Sequence, residues 1–374
     1  MYRNTWLDVN LDAISQNLKT IQDVCGKKFI AVLKANAYGC GDAEVARTVL
    51  KAGADMLAVS SLDEALMLRN AGCQAEILIL GAVHPQHAET LRRYSLAAAA
   101  YSEEWVAKII AGGASGIKVH LALDTAMNRI GFKDVETMKR AFTNLRQSGA
   151  LLEGIFTHFC CTDSDRAMTD RQYARFAEMV QALQYPFRWI HCDNSDAALF
   201  FKDPLSNACR IGLALYGISS FTDRLLPALG FYSSISMVKR IEEGETVGYG
   251  ATYKAERSEW IATVSVGYAD GFVRANQGRF VYVDGRRCEV VGRICMDQMM
   301  IRLPDPVAIG TQVELFGPHM PLATMAAELD TVPYEIISLI SGRVTRRYTE
   351  NGQFRFEKNE RLRQSGTPEN TSKS

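Results

Sequence analysis

Short apolar runs alternate with longer amphipathic stretches over residues 28–215, and this alternation limits the folds open to the chain more than any other feature. The runs are rich in Val, Ile and Leu, as strands buried on both faces are. Such a pattern predicts βα units and a parallel sheet. Eight strands are predicted, at Lys28–Lys34, Asp55–Ser61, Glu76–Val83, Leu96–Tyr101, Ile117–Thr125, Leu151–Thr157, Phe187–Cys192 and Asn207–Ile211.

Between these strands, several segments carry apolar residues at helical spacing. The predicted helices include Asp42–Ala52, Leu62–Ala71, Val135–Ser148 and Asp170–Leu183. Glycines follow three of them where a left-handed C-cap is expected, namely Gly53, Gly72 and Gly149. Eight parallel strands favour an α/β fold of the closed (β/α)8 or TIM-barrel type, although an open doubly wound sheet gives much the same pattern along the chain.

After about Phe231 the pattern changes to alternating strands with tight turns. The predicted strands are Ser234–Ile241, Trp260–Gly267, Phe280–Val283, Cys288–Cys295, Met299–Leu303 and Val313–Phe316, with a hairpin turn at Asp284-Gly285 and one helix at Leu322–Leu329. We therefore expect residues 1–230 to form the barrel, apart from a first few residues that could join the second domain. Residues 231–357 are expected to form a mostly antiparallel β domain, and the polar residues 358–374 a disordered tail.

The charge balance argues against a polyanionic partner. The 374 residues include 42 Lys and Arg against 42 Asp and Glu, and no block of like charge compensates locally. Nucleic acid and membrane surfaces are therefore not expected partners. The amino terminus lacks a signal-peptide profile and no apolar run approaches ~18 residues, so we expect a cytoplasmic protein. The nine cysteines are an odd number without a Cys-x-x-Cys, which favours reduced thiols.

Polar residues follow several predicted barrel strands, at the end where barrel active sites lie. Lys34 follows the first strand, and a lysine in a partly apolar site can act as a Schiff-base nucleophile or proton carrier. A lysine that only reaches out to solvent is an equally open interpretation. Arg129, His158 and Arg210 follow other strands, and Ser195 with the backbone at Gly212 and Leu213 could bind a phosphate. Together they predict a site for a charged cofactor.

One of these strand ends carries a specific motif. The segment Val32-Leu33-Lys34-Ala35-Asn36-Ala37-Tyr38-Gly39 resembles the pyridoxal phosphate attachment motif of the alanine racemase family. Further segments resemble the family in the same order, from residue 6 to about 348. They are residues 124–131 (DTAMNRIG), 157–159 (THF), 194–195 (NS), 210–217 (RIGLALYG), 266–271 (VGYADG) and 292–297 (GRICMD).

The resemblance implies a homodimeric, pyridoxal 5'-phosphate-dependent racemase that interconverts L- and D-alanine, with each active site completed by the partner's β domain. Lys34 and the other subunit's Tyr268 would be the two bases on opposite faces of the substrate. The implied cofactor-binding residues are Lys34, Tyr38, His158, Asn194, Ser195, Arg210, Gly212 and Leu213. Arg129 and the Met296 backbone amide would bind the substrate, and no metal is implied.

Two residues depart from the family pattern. Ala122 stands where many relatives carry a carbamylated lysine that braces the arginine, so a bound anion such as chloride could take that role beside Arg129. Gly342 stands where a tyrosine usually narrows the pocket, which opens the alternative of a serine or broader small-amino-acid racemase, unless a neighbouring side chain fills the space.

Three further functions were weighed against the racemase. A pyridoxal phosphate-dependent amino-acid decarboxylase uses the same barrel type, and a non-catalytic cofactor-binding protein would be a barrel alone. A cysteine hydrolase could be built on Cys160 or Cys161 near His158. The Tyr268 motif and the long segment after the barrel disfavour the first two, and adjacent cysteines beside a histidine are weak support for the third.

Overall fold

The structure is a computed structural model that describes residues 2–362. Contacts divide these residues into two compact units, one made of residues 11–228 and the other of residues 2–10 with 229–362. Most of the expected tail, residues 363–374, lies outside the described residues. Lys358, where we expect that tail to begin, is instead the last residue of a strand, Gln353–Lys358.

The first unit is a closed barrel of eight parallel strands, which confirms the predicted fold class and makes the open-sheet alternative wrong. The barrel closes where the first strand pairs with the eighth, with Ile30 opposite Arg210. Every predicted strand is present, and most are shorter than predicted because their polar ends turn into loops. The strands are Lys28–Val32, Met56–Val59, Ile77–Ile79, Ala97–Ala100, Lys118–Ala122, Leu151–Phe156, Trp189–His191 and Ala208–Ile211.

Helices follow the strands, and several begin at a side chain that accepts a hydrogen bond from the first turn. Asp165 is one such cap and accepts from the Met168 N–H. That helix therefore begins at Arg166, four residues before the predicted start at Asp170. The helices are Leu11–Cys25, Asp42–Ala52, Leu62–Asn70, Ala88–Arg93, Glu103–Ala111, Val135–Gln147, Arg166–Gln181 and Ser195–Phe200. The three predicted cap glycines all have positive φ.

The second unit is built on a nine-stranded, mostly antiparallel sheet. The single parallel pairing joins the first strand to a late one, with Trp6 opposite Thr345. In sheet order, the strands are Glu259–Val264, Met299–Leu303, Arg286–Val291, Phe280–Val283, Gln312–Phe316, Leu229–Ile241, Thr5–Asn10, Thr345–Glu350 and Gln353–Lys358. A separate two-stranded ribbon pairs Thr246–Val247 with Tyr253–Lys254.

The predicted hairpin turn is present in this sheet. Val283 pairs with Arg286, which leaves Asp284 and Gly285 as a two-residue loop, and both have positive φ, +48° and +73°. Positive φ at both positions is what a type I′ turn requires. The predicted helix is present as Leu322–Glu328, and a second helix, Pro333–Leu339, was not predicted. Among residues 2–362 we find no helix whose length and apolar character would let it span a bilayer.

Candidate active site

The chain leaves the first barrel strand in a left-handed turn that begins at Lys34. Residues 35–38 all have φ between +50° and +57°, although none of them is glycine. A left-handed conformation costs roughly 1–2 kcal/mol for each such residue, so the surrounding contacts must hold it. The Ala37 carbonyl accepts from the Tyr216 hydroxyl (2.9 Å), and the Ala35 N–H donates to a Glu64 carboxylate oxygen (2.7 Å). Strain of this kind concentrates at functional sites.

Lys34 lies just after the carboxyl end of the first barrel strand, where its surroundings disfavour the charged ammonium form. Partial burial of the side chain lowers the pKa of Lys34, and the nearby Arg129 cation lowers it further, against a smaller opposing effect of Glu64. The ammonium therefore gives up its proton more readily than a lysine in water.

Tyr38, Ser195 and Gly212 converge beside this turn. Tyr38 is buried with its ring edge-on to Tyr216, and the Gly212 N–H donates to the Ser195 hydroxyl (3.1 Å). A Cβ built on Gly212 would lie 2.2 Å from the Tyr38 hydroxyl oxygen, so only glycine fits here. Two hydroxyls and a backbone N–H thus meet in one place, which suits an anionic group. Leu213, the next residue, is buried.

Asn194 has a local role in the same segment. Its side-chain oxygen accepts from the Ala197 N–H (3.0 Å) and caps the helix that starts at Ser195, while its amide donates to the Thr162 hydroxyl (2.9 Å). The amide is therefore already engaged within the barrel unit, and its predicted contact with a cofactor stays a prediction.

Arg210 is a buried cation held by neutral acceptors. Its guanidinium donates to the carbonyl oxygens of Thr157 (2.7 Å), His191 (2.8 Å) and Cys192 (3.2 Å). Burial lowers the pKa of Arg210 to about 10, so it stays charged at neutral pH. It also donates to Nδ1 of His191 (2.8 Å) and, at a longer 3.4 Å, to Nδ1 of His158.

These contacts fix the tautomers of the histidines, because an arginine can only donate. His158 accepts at Nδ1 and carries its proton on Nε2, where it can donate to another group. Burial, then the positive charges of Arg210, Arg129 and Lys34, lower the pKa of His158 to about 3, so it is neutral in the physiological range. His158 and Arg210, both predicted site residues, are thus in contact.

The network continues through residues that we did not predict. His191 carries its proton on Nε2 and donates to Nδ1 of His120 (2.9 Å), so the proton of His120 is on Nε2, which has no hydrogen-bond partner among the described residues. Gly154 on the neighbouring strand makes room, since a Cβ there would lie 2.3 Å from the His120 ring. His120 lies inside a predicted strand. The one sequence signal for its role is that it is a polar residue within an apolar run.

Arg129 lies on an exposed loop that Asp124 shapes. The Asp124 carboxylate accepts from the backbone N–H groups of Ala126 (3.2 Å) and Asn128 (2.9 Å). Among the described residues, no carboxylate lies within 4.0 Å of the Arg129 guanidinium, so the cation is available to an anionic ligand. Ala122 lies with Ala99 and Phe156 in a buried apolar cluster. The hypothesis of an anion that replaces a carbamate beside Arg129 stays a prediction.

A buried ion cluster lies directly before Asn194. The Lys27 ammonium contacts a carboxylate oxygen of Asp193 (2.6 Å) and of Asp203 (2.5 Å) and donates to the Ser206 hydroxyl (2.8 Å). Cys192, Asp193 and Asp203 have the spacing of metal ligands, but the Lys27 ammonium already contacts both carboxylates and offsets one of their two negative charges. The cluster holds the segment that leads to Ser195, and it joins Lys27 to residues far along the chain.

The second unit presents Tyr268 and Met296 side by side. The Tyr268 N–H donates to the Cys295 carbonyl (3.1 Å) and the Ala269 N–H to the Met296 carbonyl (3.0 Å), so backbone hydrogen bonds hold the two loops together. Both side chains project outward, with Tyr268 41% and Met296 54% exposed.

Asp270 anchors this pair of loops. It is fully buried and accepts from Arg3 (2.7 Å), from Arg343 (2.8 Å) and from the Gly267 N–H (2.9 Å). Arg343 in turn contacts Asp297 (2.6 Å), next to Met296. The position of the Tyr268 loop therefore depends on one buried carboxylate shared by two arginines.

Comparisons with known proteins identify the family of the chain. The family model for the N-terminal domain of alanine racemase matches residues 9–220, and the model for its C-terminal domain matches residues 228–348. The chain belongs to the alanine racemase family.

Relatives of this family share most of their length with the chain. The alanine racemase of Geobacillus kaustophilus is 42% identical over 94% of this chain and 96% of its own, and alanine racemase 1 of Bacillus subtilis is 40% identical over 94% of each. The crystal structure of alanine racemase from Bacillus anthracis with bound L-Ala-P superposes with a TM-score of 0.92 at 37% identity, covering 96% of this chain and 98% of that one.

Membership of the alanine racemase family decides between the alternative functions. The relatives are isomerases, and both domains of the family are matched, so the decarboxylase, the barrel-only binding protein and the cysteine hydrolase are not favoured. The serine racemase alternative is not favoured either. The Glu360 side chain lies beside Gly342, since a Cβ on Gly342 would lie 2.8 Å from a carboxylate oxygen of Glu360.

Proposed function

We propose that this chain interconverts L- and D-alanine with pyridoxal 5'-phosphate, as a cytoplasmic homodimer in which each barrel receives Tyr268 from the other subunit. The single observation that supports the proposal is that each of the two units carries only part of a catalytic site. In the barrel, the positive charges of Lys34 and Arg210 lie close enough to His158 to lower its pKa. The second unit displays the exposed Tyr268 side chain. By itself, neither the neutral His158 ring nor the exposed Tyr268 phenol would complete a two-base site.

The residues of the barrel fit the cofactor. The cradle at Gly212, where a Cβ would collide with the Tyr38 hydroxyl, offers hydroxyl and backbone donors to a phosphate. Tyr38, Ser195, Gly212 and Leu213 would hold that phosphate, and Lys34 would bind the cofactor covalently. When bound, the cofactor withdraws electrons and makes the α-hydrogen of an attached amino acid acidic.

Lys34 and Tyr268 would each serve one face of the substrate. Inversion of a stereocentre needs removal of a proton from one face and delivery to the other, hence two acid–base groups. The lowered pKa of Lys34 favours a neutral amine that accepts a proton at Nζ. A phenol with an ordinary pKa near 10 is a weak base at neutral pH, so Tyr268 needs cationic support.

The described network can supply that support. His158 presents its Nε2 proton outward because Arg210 occupies Nδ1, so a hydroxyl placed near Nε2 would receive a hydrogen bond backed by the guanidinium charge. The lowered pKa of His158 keeps it from competing as a base. Arg210 would stand beside the pyridine nitrogen as a permanent cation and keep that nitrogen unprotonated.

Substrate binding would use the two remaining predicted residues. Arg129 has an unpaired guanidinium among the described residues and would bind an anionic oxygen of the substrate or cofactor. The Met296 backbone amide of the other subunit would add a second donor to the carboxylate.

A mixing experiment tests the shared site directly. We would purify Lys34→Ala and Tyr268→Phe proteins, mix them under conditions that exchange subunits, and measure D-alanine formed from L-alanine by chiral chromatography. Each variant alone should be inactive. A mixed dimer contains one site with intact Lys34 and intact Tyr268, so random exchange at equal concentrations should restore about a quarter of wild-type activity.

Two results would contradict the proposal. A wild-type protein that forms no D-alanine would overturn the reaction, and a mixture that stays inactive after verified exchange would overturn the supply of Tyr268 by the other subunit. Tyr249→Phe is the matched control, because Tyr249 is an exposed tyrosine of the same unit, and it should keep full activity. An arm with L-serine measures the alternative substrate.

A further inference from the structure

Two cysteines of the barrel unit lie in sulfur contact although they are far apart in the sequence. Cys25 is the last residue of the helix Leu11–Cys25, and Cys209 lies in the eighth barrel strand, Ala208–Ile211. Their Sγ atoms are 3.7 Å apart. Cys209 is fully buried and Cys25 is half-buried, so one thiol of the pair is open to small solutes and the other is not. The proposed racemase reaction uses neither.

The two thiols differ strongly in acidity. The contact with Cys209, assisted by the backbone N–H and the charge of Lys27, outweighs the opposing effect of burial and lowers the pKa of Cys25 to about 7. The same contact, together with burial, raises the pKa of Cys209 well above its ordinary value. At neutral pH, Cys25 is therefore partly a thiolate while Cys209 keeps its proton. Only the thiolate is a nucleophile.

This arrangement matches that of peroxide-sensing thiols, in which an accessible, acidic cysteine lies beside a second cysteine that resolves its oxidised form. We propose that Cys25 and Cys209 form a redox-modification site, which hydrogen peroxide converts into an intramolecular disulfide with Cys25 as the reactive and Cys209 as the resolving thiol. The site is independent of the proposed racemase function.

The chemistry is balanced with hydrogen peroxide as the two-electron oxidant. Cys25 first releases its proton, and the resulting thiolate attacks one peroxide oxygen. The O–O bond breaks, Cys25 becomes a sulfenic acid, and the leaving hydroxide takes up the released proton to give water. The Cys209 sulfur then attacks the Cys25 sulfur, the S–O bond breaks, and the Cys209 proton passes to the departing hydroxide. Overall, two thiols and one peroxide give one disulfide and two waters.

The geometry allows this bond to close from the Cys25 side. A disulfide has an S–S distance of about 2.05 Å, so the sulfurs must approach by about 1.7 Å from their present 3.7 Å. Cys209 is held in a barrel strand that is paired on both sides. Cys25 ends its helix and is followed by Gly26 at φ +63°, where a Cβ would meet nothing within 4 Å. The helix end can therefore adjust without a clash.

The other close pair of thiols is a poorer candidate. Cys160 and Cys161 are adjacent residues with sulfurs 3.2 Å apart. Burial raises the pKa of Cys160, and its thiol already contacts the Gln172 side-chain oxygen (3.2 Å). Its thiolate is therefore scarce at neutral pH, and we expect slower oxidation of this pair than of Cys25.

Peptide mapping of the oxidised holoenzyme tests the proposal. Wild-type protein would be treated with hydrogen peroxide near neutral pH, alkylated, digested without reduction and analysed by mass spectrometry. We expect a peptide that links Cys25 to Cys209, has lost two hydrogen atoms relative to the free thiols, and disappears after dithiothreitol. Recovery of Cys25 and Cys209 as unlinked thiols, at peroxide levels that oxidise other cysteines, would overturn the proposal.

Three variants separate the roles of the two thiols. Cys209→Ala should stop at a sulfenic acid on Cys25 that dimedone captures, and the pH midpoint for alkylation of Cys25 should rise from about 7 toward 9.0. Cys25→Ala should leave Cys209 unreacted. Cys73→Ala, at another half-buried cysteine, should behave as wild type. An unchanged alkylation midpoint in Cys209→Ala, or oxidation of Cys209 in Cys25→Ala at the wild-type rate, would contradict the assigned roles.

Discussion

Substitution of Gly212 by alanine should weaken cofactor binding with little change elsewhere in the barrel. The new Cβ would lie 2.2 Å from the Tyr38 hydroxyl oxygen, whereas ordinary contact begins at 3.4 Å, so the ring must move by about 1.2 Å. Tyr38 is 4% exposed and packs against Tyr216, so it has little room to move. Overpacking of this kind costs about 1–3 kcal/mol. If Tyr38 helps to hold the phosphate, that cost weakens binding of pyridoxal 5'-phosphate by roughly 5- to 150-fold.

The assay is a spectroscopic titration of cofactor-free protein with pyridoxal 5'-phosphate, alongside thermal unfolding of each protein. Gly112→Ala is the matched control, because a Cβ there meets only ordinary contacts at 3.5 Å or more and its φ is negative. The control should bind the cofactor as wild type does. A Gly212→Ala protein whose dissociation constant stays within about twofold of wild type would refute the assignment of Tyr38 and Gly212 to the phosphate site.

Two further predictions concern stability. Burial lowers the pKa of His120 to about 3, against 6.5 in the unfolded chain. The folded ring therefore stays neutral while the unfolded one gains a proton, so its contribution to stability is present above pH 6.5 and is lost as the pH falls toward 3. Below pH 6, His120→Phe should reduce the slope of the unfolding free energy against pH by up to about 1.4 kcal/mol per pH unit, measured by urea titration. The surface variant His84→Gln should keep the wild-type slope. Equal slopes in wild type and both variants would contradict the assignment. Asp270→Asn should cost about 3 kcal/mol of stability and much of the activity, because two arginines lose a buried counter-charge, while Asp305→Asn, in an exposed pair with Arg286, should cost under about 1 kcal/mol; similar unfolding midpoints for the two variants would be the contrary result.

The fold follows from the sequence where hydrophobic pattern and local chemistry agree. The eight apolar runs predicted all eight barrel strands, since a strand buried on both faces has few polar positions that interrupt the apolar run. Asp284-Gly285 predicted its hairpin because few residue pairs tolerate positive φ at both positions. The late strand Gln353–Lys358 was missed because five of its six residues are exposed and its sequence, QFRFEK, lacks a continuous apolar face.

The sequence by itself also determined the family and the motif residues Lys34, Tyr38, Arg210 and Tyr268, because such motifs are local and in order along the chain. Only the tertiary structure decided which of those residues have partners. Contacts between separate elements include the hydrogen bonds of Arg210 to His158 and His191, the Lys27 ion cluster and the contact of Cys25 with Cys209. The structure also leaves the Nε2 proton of His120 without a hydrogen-bond partner among the described residues. Hydrogen-bond direction and burial, which set these pKa values, exist only after the strands have closed into a barrel. The order of residues along the chain therefore does not show these hydrogen bonds or this burial.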